Sequence, residues 1–149
     1  MIPFPDLVNN SINGFSFINC CHTFTFDIHC KFVFSTDMMA AGTRQPDAVG
    51  RGVGWESRGS QCLFDDSFDI PYRCLIPRDV DGLLMGAGRS ISTETTPRFC
   101  GMVHTMAVGQ AAGTAAAVCI AANATPKTVD VADVQKELIH QGVELEGKI

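Results

Sequence analysis

Hydrophobic and polar positions alternate with different periods along the 149 residues, and the periods divide the chain into elements. Leu83 to Ala87 are apolar without interruption, as in a parallel strand covered on both faces. The run continues through Gly86, Gly88 and a single arginine, Arg89, to Thr93. This predicts a buried strand that ends in a glycine loop, where another group approaches the backbone. From about Cys100 to Ala122 the pattern predicts a long helix rich in small residues, with Gly109, Ala111, Ala112 and Gly113 leaving little bulk between its backbone and a neighbouring sheet. Met102, Met106 and Gly109 recur at spacings of four and three and read as a core stripe. A second helix follows. Asp130 and Asp133 have the spacing of an N-cap and its reciprocal acid, Val131, Val134 and Leu138 form one apolar stripe, and Gly142 supplies a stop.

The rest of the chain is less regular. Residues 1–35 hold seven of the ten phenylalanines, and the period-two alternation from Phe24 to Phe34 predicts one or two strands, or an irregular segment whose partner lies elsewhere. Gly50 to Gly59 lacks the third glycine of a dinucleotide fingerprint and has no apolar strand before it, so it reads as a loop or hairpin turn. Pro71 and Pro77 bracket a short piece expected to be extended, and Asp79 to Gly82 a tight turn. A strand, a glycine loop and a small-residue helix in succession make a cradle for a phosphate or dinucleotide. Gly86 to Ile91 also lacks the third glycine, so neither loop is the main pyrophosphate site.

An apolar fraction of 46% suffices for a core in one domain, and a net charge of −5 argues against a general nucleic-acid binder. All seven arginines fall between Arg44 and Arg98, which places an anionic ligand near the middle of the chain unless they are ordinary solvated charges. The seven cysteines form no disulfide framework, which points to a reducing, cytoplasmic compartment, and Cys119 reads as a small core residue. Cys20, Cys21, His22, His29 and Cys30 lack the paired spacing of zinc modules, so no metal site is expected. No apolar run reaches the roughly 18 to 20 residues of a membrane span, and none is expected.

Phe68–Ser92, Gly109–Ala117 and Thr125–Gly142 together resemble the carboxyl-terminal part of a FAD-dependent oxidoreductase family. That family is related in fold to glutathione reductase, fumarate reductase and the flavin subunit of heterodisulfide reductase. The resemblance runs from about Asp47 to Leu145 and implies an α/β fold: the carboxyl-terminal portion of a FAD/NAD(P)-binding Rossmann-like domain with part of a substrate domain. It divides the chain into an unassigned apolar segment (1–35), the end of the substrate domain (36–77), the strand and helix that close the FAD-binding domain (78–125), and a terminal amphipathic helix (126–149).

FAD is the implied cofactor and a small molecule the implied substrate. The resemblance maps Ala87, Gly88 and Arg89 to the ribityl and pyrophosphate, Gly101, Met102 and Val103 to the pyrimidine edge of the flavin, and Tyr72, Arg73 and Arg98 to the substrate. Arg89 and Arg98 fit a phosphate or carboxylate, or else an ion pair with Asp79, Asp81 or Glu94. His104 reads as a satisfied structural residue, with a position facing the flavin as the alternative. No catalytic side chain or iron-sulfur motif is singled out, because the flavin ring itself carries the hydride. The amino-terminal G-x-G-x-x-G unit of the family is not in these residues. The chain therefore reads as a carboxyl-terminal segment of a flavoenzyme, as a non-catalytic fragment, or as a subunit whose partner carries the pyrophosphate site.

Overall fold

The computed structural model describes residues 30–40, 42–55, 62–87, 90–94 and 101–145, and its centre is an antiparallel hairpin. Strand β1 (Ala48–Trp55) pairs with β2 (Cys62–Pro71), with Ala48 opposite Pro71 and Trp55 opposite Cys62. Proline lies at the end of the ladder, where its missing N–H costs least. The stretch Gly50–Trp55, expected to be loop or turn, is thus strand. Pairing with β2 makes it strand, and the glycines answer to close packing: a Cβ on Gly50 would lie 3.4 Å from Ala107 Cβ, and one on Gly52 would lie 2.7 Å from His104 Cδ2 and run into the Phe68 ring. These glycines mark a helix lying hard against a strand, not a turn.

That helix, α1 (Met102–Ala121), is 20 residues long. His104, Val108, Ala111, Ala115 and Cys119 are buried at spacings of four, three, four and four, one helical stripe facing the hairpin. The methionine stripe expected in the core is on the other side: Met102 is 84% exposed and Met106 73%. Both sides of α1 are apolar, so periodicity alone does not select the buried one. Also contrary to expectation, α1 is long and apolar enough to cross a membrane by length and composition. Here one of its faces is packed on the sheet.

Helix α2 (Val131–His140) forms as its pattern predicts. The Asp130 side chain accepts from Ala132 N–H at 2.9 Å, Val134 and Leu138 are buried, and Gly142 takes φ +88° just beyond the end. Asp133 does not return a reciprocal cap; its carboxylate pairs with Lys136 at 2.8 Å. Gln135 Nε2 donates to the carbonyls of Pro46 and Ala48, both at 3.0 Å, and so fastens α2 to the start of β1.

Three shorter expectations fare differently. Tyr72–Leu75, expected to be extended, forms a 3-10 turn. Pro77 constrains only Ile76, which is extended at φ −97° and ψ 119°, and leaves the residues before it free to curl. Residues 83–86 do not form the expected buried strand: Met85 N–H donates to Leu75 C=O at 2.8 Å, but no ladder develops among the described residues, and Leu83 and Gly86 are exposed. Of the phenylalanine-rich segment, residues 1–29 lie outside the description. Cys30 and Phe34 make single bridges to Pro77 and Thr93, and Phe34 is fully buried against Phe68 at 5.6 Å. One continuous core runs from Phe34 through Val49, Ile70, Leu75, Val108 and Val134 to Leu145. It unites hairpin, turn and both helices in a mixed α/β arrangement.

Candidate functional site

The amino-terminal turn of α1 has no side-chain cap. Gly101 stands at the N-cap in an extended conformation (φ −63°, ψ 149°), and the first turn contains no acidic residue. Met102 and Val103 are exposed, and the first-turn amides, which have no intrahelical partners, lie at the positive end of the helix. A carboxylate, a phosphate or a ring that gathers negative charge fits there by its chemistry. The glycine itself answers to a neighbour within the chain, since a Cβ on Gly101 would lie 3.3 Å from His104 Nδ1.

His104 is buried one turn into α1, and its Nε2 accepts from Val53 N–H at 3.1 Å. Its ring tilts against Phe68 at 5.6 Å, and burial holds its proton affinity below the usual histidine range. These contacts make it a structural link between α1 and β1. Sequence reasoning missed its partner; the signal was the glycine at position 52, without which the imidazole would not fit.

The segment before the glycine loop approaches α1 two turns further on. A Cβ on Gly109 would lie 3.4 Å from Gly86 C=O, and one on Gly86 would lie 3.7 Å from Ala112 Cβ. Gly109 therefore serves close packing as expected, whereas Gly113 has nothing within 4 Å of a Cβ placed on it and packs on no described residue. Ala87 and Ser90 close a turn: Ala87 N–H donates to Ser90 Oγ, and Ser90 N–H to Ala87 C=O, each at 3.0 Å. The loop members Gly88 and Arg89 lie outside the described residues, as does Arg98. At about 1.5 Å rise per residue, Gly109 is roughly 12 Å along the axis from Gly101. The described contacts do not join Ala87 directly to Gly101, Met102 or Val103.

Tyr72 and Arg73, expected to line a substrate pocket, both have partners within the chain. Tyr72 is buried, its hydroxyl donates to Pro126 C=O at 2.9 Å, and burial pushes its pKa up to about 12. Arg73 pairs with Asp47, donates to Gln45 Oε1 at 2.7 Å and lies over the Phe32 ring at 4.4 Å. Next to it, Arg51 and Asp69 face each other across the hairpin at 3.5 Å, and Arg44 pairs with Asp66 at 3.5 Å. Arg44 thus ties the 43–47 segment to β2 and Asp47 ties it to the 3-10 turn, whereas Arg51 and Asp69 link the two strands of the hairpin. Of the carboxylates suggested for Arg89 and Arg98, Asp79 pairs with Arg78, Asp81 with Lys127, and Glu94 accepts from Thr36 N–H.

Of the cysteine and histidine cluster only Cys30 is described, with its thiol donating to Ser90 C=O at 3.6 Å. Burial raises the pKa of Cys30, Cys74 and Cys119 alike, which leaves them poor nucleophiles. An open hollow between Gln45, Pro46, Ala48, Gln135, Ile139 and Leu145 includes none of the expected site residues.

Comparison with protein families matches residues 25–138 to the family described as FAD dependent oxidoreductase. No curated protein and no solved structure matches the chain.

Proposed function

The chain belongs to the FAD-dependent oxidoreductase family, whose cofactor is FAD, and from that premise we propose that the start of α1 and the 83–89 segment form one wall of its flavin site. The observation that carries this reading is the start of α1 at Gly101–Val103, where a first turn without acidic residues has no side-chain cap bond. Bound flavin would supply the hydride chemistry. The residues of this chain would supply position and field. Amides at Met102 and Val103 aimed at the pyrimidine edge favour the ring with added negative charge. Ala87, Gly88 and Arg89 would follow the ribityl and pyrophosphate, with the Arg89 guanidinium paired to phosphate. The small-molecule substrate would lie against the substrate-domain residues, with Arg98 as the candidate for an anionic group. Tyr72 and Arg73 would support that wall through Pro126 and Asp47 rather than offer free polar ends.

The reading includes further protein around this wall, from elsewhere in a longer chain or from a separate one that carries the glycine fingerprint. Two features support it. Residues 83–86 join no ladder among the described residues, and Met102, Val103, Met106 and Ile120 stand exposed on α1. Without that protein the cradle lacks its principal phosphate contacts, so this chain alone is expected to bind FAD weakly.

Flavin fluorescence titration of the chain and of Met102→Pro tests the proposal. Proline at the first helical position preserves the helix and deletes one amide donor. It should weaken FAD binding about tenfold, the worth of one hydrogen bond to a charged group. Unchanged affinity in Met102→Pro would remove the helix start from the site, and tight stoichiometric binding by the isolated chain would remove the need for further protein.

A further inference from the structure

We propose that His104 is a pH-sensitive latch between α1 and the hairpin, and that its protonation loosens the helix start which the flavin reading uses. The consequence for flavin rests on that reading; the latch itself stands on contacts within this chain. Nε2 of His104 accepts from Val53 N–H at 3.1 Å, so the neutral ring carries its proton on Nδ1. A proton added to Nε2 turns the acceptor into a donor that faces a donor, and the bond between helix and strand is lost.

The ring is packed closely between the backbone and Phe68. A Cβ on Gly52 would lie 2.7 Å from its Cδ2, Phe68 tilts against it at 5.6 Å, and a Cβ on Gly101 would lie 3.3 Å from its Nδ1. Movement of the first turn of α1 off β1 relieves the donor clash. Among the described side chains on the elements packed around it, the charged groups pair with one another. Arg51 of β1 pairs with Asp69 of β2, Asp66 pairs with Arg44, and α1 contains no Asp, Glu, Lys or Arg.

Burial favours the neutral ring in the attached state, so the sign follows directly. Above the ordinary histidine pKa of about 6.5 both attached and detached states are neutral and the latch is fully closed. As pH falls below that value the detached state takes the proton first, and attachment weakens progressively toward the lowered pKa of the attached ring.

The test is an NMR titration of the full chain without flavin, from about pH 8 to pH 5, that follows the His104 Cε1–H shift and the exchange of the Val53 amide. His104 should titrate below about 6.5, and Val53 opening should increase about tenfold per pH unit along the same curve. His104→Gln keeps an acceptor oxygen and carries no titrating proton, so its Val53 opening should be flat across this range. A histidine that titrates at or above the ordinary value while Val53 stays protected would overturn the latch. So would an unchanged acid opening in His104→Gln; if that variant does not fold, the titration of the natural chain decides. A parallel FAD titration at both ends of the range separates the two proposals. A closed latch with no FAD affinity at neutral pH sinks the flavin reading alone, and FAD affinity that does not fall on acidification in step with Val53 opening severs the link between them.

Discussion

At Gly52 a single missing methyl decides how close α1 lies to the sheet. A Cβ there would enter the Phe68 ring and crowd His104, both of them buried. Alanine is ordinarily better than glycine inside a regular element by roughly 0.5–1 kcal/mol. Gly52→Ala is nevertheless expected to destabilise the chain by about 1–3 kcal/mol, because overpacking a closed interface forces side chains off their rotamers. A urea-unfolding midpoint checks the sign, and a more stable variant would show that helix and strand are not in tight contact. The sequence displayed this glycine in full view but gave it the wrong meaning. Glycine serves both positive φ and close approach, and only the position of α1 tells the two apart.

At the scale of elements, what could be read depended on whether an element's chemistry was local. In α2 it is: Asp130 caps the helix it begins, Val134 and Leu138 share a face, and Gly142 turns the chain at its end. The two acids that look alike in sequence differ in the structure, which makes a discriminating prediction. Asp130→Ala removes a cap bond and should cost about 1 kcal/mol, whereas Asp133→Ala loses only an exposed pair with Lys136 and should cost less than about 0.5 kcal/mol. Thermal unfolding of the two variants side by side decides it, and equal losses would mean that Asp133 takes part in the cap. In β1 and residues 83–87, by contrast, the outcome depends on remote partners. β1 is strand because β2 pairs with it despite three glycines, and residues 83–87 lack a ladder because no second strand runs beside them among the described residues. The candidate site shared this division: a helix beginning near Cys100 was legible in the local sequence, but the engagement of Tyr72 by Pro126 and of Arg73 by Asp47 was not.

Across the whole molecule the unusual feature is where apolar surface remains. The four most exposed large hydrophobic side chains among the described residues, Met102 (84%), Ile120 (83%), Met106 (73%) and Val103 (59%), all lie on α1. A helix apolar on all sides belongs inside a larger body of protein or in lipid. The buried stripe from His104 to Cys119 already commits one side to the sheet, as in the core helix of a protein, and the proposed reading sets further protein against the other. Met106→Glu separates these cases. If the outer face meets nothing within this chain, the substitution should change unfolding stability by no more than about 0.5 kcal/mol, because it places a charge in water. It should also reduce self-association, since it interrupts a contiguous apolar patch. Urea unfolding with light scattering on the same samples measures both. A loss of stability above about 2 kcal/mol would mean that part of this chain already covers Met106, and the case for a further protein layer would then lose its principal support.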